Sequence, residues 1–176
     1  ISRTIFHWVL PQWESEYGRE NILYVDESGI NSTETAEYGW SFKGKRCQDL
    51  KSGGHGKRIS LISAVRSNSP YHFVSPLVFQ GSCDRKLFVG WLDYLFRNLP
   101  TSKYLLILDN ASIHKGKEIE QLAETYNVRI AYLPAYSPDL NPIEKAWSVL
   151  KRKVRNLVSQ ENISILEALD IVFKQM

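Results

Sequence analysis

The chain has 176 residues, 43% hydrophobic and 23% charged, with 22 Lys and Arg against 19 Asp and Glu. This balance excludes a disordered chain, and no apolar run approaches the roughly 18 residues of a membrane span; a chain of this length buries roughly 70% of its unfolded surface around one core. The net charge of +3 is too small to name a nucleic acid as partner by itself.

Two cysteines, Cys47 and Cys83, supply no disulfide framework and point to a reducing compartment, the cytoplasm. The opening Ile1-Ser2-Arg3-Thr4 has neither a methionine nor a signal-peptide pattern, as expected of a fragment or a processed chain.

Residues 1–18 read as a helical lead-in, with Pro11 interrupting its apolar stretch, so that 1–20 forms an arm or linker and 21–176 the main domain. Residues 21–25 form a short apolar run ending in Asp26-Glu27-Ser28-Gly29, the pattern of a buried strand entering a turn. Residues 38–42, 58–64 and 71–79 predict further strands, divided by glycine-rich and Ser-Asn-Ser-Pro turns, and together suggest an early antiparallel block. Leu87, Phe88, Trp91, Leu92, Leu95 and Leu99 then recur at helical spacing across 84–99. Residues 104–108 are an apolar strand ending in Asp109; a helix over 117–126 and a strand over 128–133 follow. The alternation favours parallel pairing, and hence an α/β fold with a mixed sheet. A helix from Asn141-Pro142 to about 158, a break at Ser159-Gln160-Glu161-Asn162 and a short final helix complete the chain.

Asp26 and Asp109 each terminate an apolar strand. If those strands are neighbours, both carboxylates reach the edge where α/β sheets bind ligands. Each also has a plain explanation: Asp26 opens a Ser-Gly turn, and Asp109 or Asn110 caps a helix. Glu144 has one as well, since Asn141, Pro142 and Glu144 make a capping-box-like helix start. On a helical wheel Ile143, Ala146, Trp147, Leu150, Val154 and Leu157 form the core stripe, while Glu144, Ser148, Lys151 and Arg155 form a polar stripe about 120° away. Trp147 therefore reads as a core anchor, with stacking on a flipped base as the alternative. Three carboxylates meeting at one edge would require cations, and hard oxygen donors suit Mg²⁺ or Mn²⁺, with phosphoryl transfer as the implied chemistry.

The segments Tyr24-Val-Asp26-Glu27-Ser28-Gly29, Leu106-Ile-Leu-Asp109-Asn110-Ala-Ser-Ile-His114-Lys115 and Tyr132-Leu-Pro-Ala-Tyr136-Ser-Pro138-Asp-Leu-Asn141-Pro142-Ile-Glu144-Lys-Ala-Trp147 resemble the catalytic domain of mariner-superfamily DDE transposases, in their bacterial insertion-sequence branch. The 34 residues between Asp109 and Glu144 match the spacing of that branch. The resemblance implies a ribonuclease H-like fold and a metal-binding catalytic triad of Asp26, Asp109 and Glu144, holding Mg²⁺ with Mn²⁺ as a substitute. It implies cleavage at transposon ends and transfer of the freed 3′-hydroxyl to target DNA. It also implies a homodimer on paired ends and a nucleoid-associated place in a bacterial cytoplasm. The helix-turn-helix region by which the family recognises its terminal repeats has no counterpart in these 176 residues.

Expected DNA contacts are Lys43, Lys45 and Arg46 after the 38–42 strand, Lys151, Arg152 and Arg155 near Glu144, and His114, where the family often carries a histidine. Two other readings stay open: a ribonuclease H-type nuclease without strand transfer, and a catalytically silent DNA-binding module. Gly53-Gly54-His55-Gly56-Lys57-Arg58 departs from a phosphate-binding loop and reads as a hairpin. Cys47, His55, His72 and Cys83 lack zinc-site spacing.

Overall fold

A computed structural model describes residues 2–31, 58–100 and 102–176. The expected strand at 38–42, the hairpin at 53–58 except Arg58, and Lys43, Lys45, Arg46, Cys47 and His55 lie outside the described residues.

Helix α1 (Arg3–Tyr17) starts at Ser2, whose hydroxyl accepts from the Ile5 amide at 3.3 Å, and runs through Pro11 rather than stopping there. Proline removes one helical hydrogen bond, and burial of Phe6 and Tyr17 on either side of it offsets the loss. Strands β1 (Ile22–Asn31), β2 (Arg58–Arg66) and β3 (Ser69–Gln80) form an antiparallel block. Helix α2 (Arg85–Asn98) is capped by Asp84 and buries Phe88, Trp91, Leu92 and Leu95 of the stripe read from its periodicity, together with Phe96, while Leu87 and Leu99 are half-buried. Strand β4 (Tyr104–Leu108), helix α3 (Lys117–Thr125) and strand β5 (Val128–Tyr132) follow, then helices α4 (Pro142–Glu161) and α5 (Ile165–Gln175).

The sheet order is β3-β2-β1-β4-β5, with β1–β4 and β4–β5 parallel. The mixed sheet, antiparallel block first and parallel strands after, is the ribonuclease H-like arrangement expected from the sequence. Alternation of side chains across the strands splits the core in two. Ile22, Tyr24, Leu105 and Ile107 pack with Ile143, Trp147 and Leu150 of α4 and with α1 and α5. Leu23, Val25, Leu106 and Leu108 pack with Phe88, Trp91 and Leu92 of α2 and with α3.

Two boundaries differ from the sequence reading by more than two residues. β1 does not turn at Asp26 but continues to Asn31, because β2 pairs with it along the whole length, Asp26 opposite Ser63 and Asn31 opposite Arg58. α4 does not end at 158; it continues to Glu161 and stops where Asn162 adopts a left-handed conformation, φ 51°. Asparagine tolerates that conformation better than most residues and so serves as the stop. α5 then begins with a capping box between Ser164 and Glu167.

Candidate active site

The β1–β4 register places the first two carboxylates. Ile22 pairs with Leu105, an offset of 83, and Tyr24 with Ile107, the last pair; the same offset carried two residues further sets Asp26 level with Asp109. Neighbouring strands run about 4.8 Å apart, and residues level in parallel strands point to one side. Asp26 shares the face of Tyr24, and Asp109 that of Ile107, which is the face covered by α4. Glu144, at the start of α4, enters from above.

Asp26, Asp109 and Glu144 border one cavity of about 440 Å³, whose other wall is the segment from Leu133 to Asn141. Burial pushes the Asp26 carboxyl up to about 8, and the charges of Glu144, Glu27 and Asp109 push in the same direction. Among the described residues no three His, Cys, Asp or Glu side chains close on a common point to hold an ion. The carboxylates thus line the cavity without converging at its centre.

The capping role available to Glu144 is not used. Asn141 occupies the N-cap position, yet its side chain makes no cap bond, and the Glu144 amide instead donates to the Asn141 carbonyl at 3.2 Å. Asn141 is 4% exposed, and its side-chain oxygen has no partner among the described residues. Three carboxylates and an orphaned amide oxygen around one cavity, with one carboxyl holding its proton through burial and the neighbouring negative charges, form an oxygen-rich donor set that fits a hard divalent cation.

His114, expected as a DNA contact, is buried instead. It is 0% exposed, stacked against Phe88 with ring centroids 4.4 Å apart, and both ring nitrogens are taken, so it presents nothing to a DNA phosphate. Nδ1 lies 2.6 Å from Asp109 Oδ1 and Nε2 lies 2.9 Å from Glu27 Oε1. Ionised carboxylates only accept hydrogen bonds, so the ring must donate twice and carry a positive charge. Burial alone would lower its pKa, but the bonds to Asp109 and Glu27 outweigh it and hold the imidazole up to about 9. The same bond keeps Asp109 below the ordinary carboxylate value.

Sequence reasoning did not single out Glu27, though the signal was present. Strand alternation sends Asp26 to the α4 face and Glu27 to the α2 face, where His114 receives it. The loop after β4 is further fixed by Arg85, which donates to the Ser112 carbonyl at 2.7 Å, and by the Tyr132 hydroxyl, which donates to the His114 carbonyl at 2.9 Å. Asp109 also accepts from the Ala111 amide at 2.9 Å, and Asn110 donates to the Leu133 carbonyl.

Of the basic residues expected near Glu144, Arg152 is exposed and Lys151 and Arg155 are half-buried on α4. A second depression, about 540 Å³, shares Asn141 and Glu144 with the cavity and continues along α4 past Lys145 and Ser148. Trp147 is 2% exposed and packs on Phe73 with centroids 4.6 Å apart, the core anchor that the wheel predicted.

The cavity's far wall carries strain. Tyr136 has φ 53° in the turn at Ala135–Tyr136; an aromatic residue there costs of order 1–3 kcal/mol and persists only where its surroundings enforce it. They do so through Ser137, 4% exposed, whose hydroxyl donates to the Ala135 carbonyl at 3.1 Å and accepts from Arg3 at 3.0 Å. Arg3 also makes a two-pronged ion pair with Asp139, at 2.8 and 2.6 Å.

Residues 21–167 match the family model described as DDE superfamily endonuclease. The chain is 30% identical over 146 residues to an uncharacterized 39 kDa protein of insertion element IS630 from Shigella sonnei, covering 82% of this chain and 40% of that protein. It is 25% identical over 168 residues to the Tcb2 transposase of Caenorhabditis briggsae, covering 89% of this chain and 58% of the transposase. The chain therefore spans about half the length of these relatives. Among solved structures it resembles the catalytic domain of the Mos1 mariner transposase (TM-score 0.64, 17% identity, 98% of this chain and 79% of that one). It also resembles Mos1 in a paired-end complex with the left transposon end (TM-score 0.69, 18% identity, 85% of this chain and 46% of that one). With four-fifths of its length inside the family match and carboxylates at the sheet edge, the chain belongs to the DDE endonuclease superfamily.

Proposed function

We propose that this domain cleaves DNA at transposon ends and transfers the freed 3′-hydroxyl strand to target DNA, with Asp26, Asp109 and Glu144 holding divalent cations. The observation that carries the reading is that Asp26 and Asp109, just beyond the last β1–β4 pair, line one cavity with Glu144. Mos1, a structural neighbour, has been solved as a catalytic domain with Mn and with Mg and as a strand transfer complex; Mg²⁺, with Mn²⁺ able to replace it, is the cofactor proposed here.

When bound, a pair of such ions supplies Lewis acidity toward the attacking and leaving oxygens of an in-line displacement. The chain's own residues set the geometry. Asp26 and Asp109 are fixed by strands, and His114 prevents Asp109 from rotating out of the cavity. Glu144 arrives on a helix whose core face is fully buried, so its backbone cannot shift without moving Ile143 and Trp147. Hydrolysis adds water across one P–O3′ bond and leaves a 3′-hydroxyl and a 5′-phosphate; transfer bonds that 3′ oxygen to a target phosphorus as the target's own P–O3′ bond breaks, its 3′-hydroxyl leaving with the proton. Lys151, Arg152 and Arg155 on α4, and Lys43, Lys45 and Arg46, are the proposed phosphate contacts, and a homodimer on paired ends is the proposed assembly.

The test is a nicking and joining assay with the domain in its full-length protein. Asp109→Asn and Glu144→Gln should each abolish Mg²⁺-dependent cleavage while leaving DNA binding in place; retained cleavage in either rejects the triad. Joined strands among the products support transfer, whereas hydrolysed ends alone indicate a nuclease. Binding should weaken steeply as salt rises if the basic residues meet phosphates.

A further inference from the structure

We propose that Tyr136 is a stacking platform for a nucleobase of the strand whose phosphodiester occupies the carboxylate-lined cavity. The inference rests on the reading of this cavity as a DNA-cleaving centre and adds a base-contacting residue to it.

Tyr136 is 101% exposed, the most exposed of the large hydrophobic side chains among the described residues. Its side chain contributes nothing to the core, and its hydroxyl makes no hydrogen bond with any described residue. Folding therefore gains nothing from an aromatic ring here, and the backbone is strained to present it: φ is 53° at a turn position where glycine is the ordinary choice. The other left-handed non-glycine residues have local accounts. Asn127 and Asn162 follow helix ends, and Ser75 turns its carbonyl to the Trp91 indole at 2.8 Å. Tyr136 has none, while Ser137 and Arg3 pin the turn that holds it out.

The ring's position narrows what it can serve. Tyr136 borders the same cavity as Asp26, Asp109 and Glu144, beside Pro134 and Pro138, so a flat apolar surface adjoins an oxygen-rich floor. A ligand matching both has an anionic phosphate joined to a planar aromatic group, which describes a nucleotide. Every base has a π-face, so a tyrosine can stack on an unpaired base whatever its identity. A cavity of about 440 Å³ falls in the size range of pockets that admit one small organic group.

The experiment measures binding of the 176-residue chain, with Ca²⁺ in place of Mg²⁺ so that strands stay intact. The probes are tailed duplexes carrying a single abasic site moved along one strand. In wild type, removing the base at one or two adjacent positions should weaken binding roughly 5- to 150-fold, the range for one base–aromatic stack. Tyr136→Ala should lose that positional penalty and Tyr136→Phe should keep it. Tyr136→Gly, freed of the left-handed strain, should melt no lower than wild type while losing the penalty, which separates stacking from folding. An identical abasic profile in wild type and Tyr136→Ala, or no positional penalty in wild type, overturns the platform while leaving the cleavage reading intact. A wild-type chain that binds none of the duplexes overturns both.

Discussion

His114 and Glu27 lie 87 residues apart in sequence and 2.9 Å apart in space, joined beneath the sheet edge by a ring that is out of reach of solvent. The opposite nitrogen of that ring holds Asp109. One imidazolium thus ties β1 to the loop after β4 and fixes a carboxylate at the cavity from behind.

Replacing His114 with Ala should leave Asp109 and Glu27 facing each other without their shared cation. Loss of one member of a buried ionic set typically costs about 3–5 kcal/mol; because Asp109 is half exposed, about 2–4 kcal/mol is expected, read from urea unfolding of the two proteins. A loss no larger than that of an ordinary surface substitution would mean the contact is not formed in solution.

The cation-free protein should lose stability as pH rises from neutral. The Asp26 carboxyl, at about 8 when folded, holds a proton that the unfolded chain releases near 3.8, so folding is progressively disfavoured between those values. His114, raised from 6.5 to about 9, contributes stability that is complete below 6.5 and lost as pH passes 9. Asp109, lowered from 3.8, acts in the opposite sense, its contribution being lost on acidification. Melting temperature in EDTA should therefore fall between pH 6.5 and 9, and Mn²⁺ should restore it by replacing the Asp26 proton. A flat or rising profile in EDTA contradicts this.

Asn141→Asp should convert the orphaned amide oxygen into a fourth carboxyl beside the cavity. The expected result is lower stability without metal and Mn²⁺ binding tighter on the order of fivefold, equivalent to about 1 kcal/mol. Titration calorimetry on the two proteins decides it; unchanged or weaker Mn²⁺ binding would place the cation elsewhere.

Gly116→Ala should be costly. Gly116 has φ 140° and ψ 161°, a region open essentially to glycine alone, and an added Cβ would stand 2.6 Å from Arg85 Nη1, on the side chain that holds the Ser112 carbonyl. A destabilisation of about 1–3 kcal/mol is expected from thermal or urea unfolding. In the proton spectrum the His114 ring signals should broaden as its loop loosens, and sharp, unmoved signals would show that Arg85 does not secure that loop.

Much of this molecule could be read along the chain. Helical spacing fixed the buried stripes of α2 and α4, because periodicity records which face meets the sheet, and the motifs around Asp26, Asp109 and Glu144 identified the family. What the chain order could not decide was where strand pairing stops and what lies across the sheet. Asp26 sits mid-strand rather than in a turn because β2 supplies partners beyond the last β4 pair. Glu144 faces the cavity rather than its own helix cap, and His114 is buried between two carboxylates rather than exposed, because the residues that meet them come from other strands and helices. Local propensity describes each segment alone, whereas burial, charge repulsion and the tilt of a side chain depend on neighbours brought together only by folding.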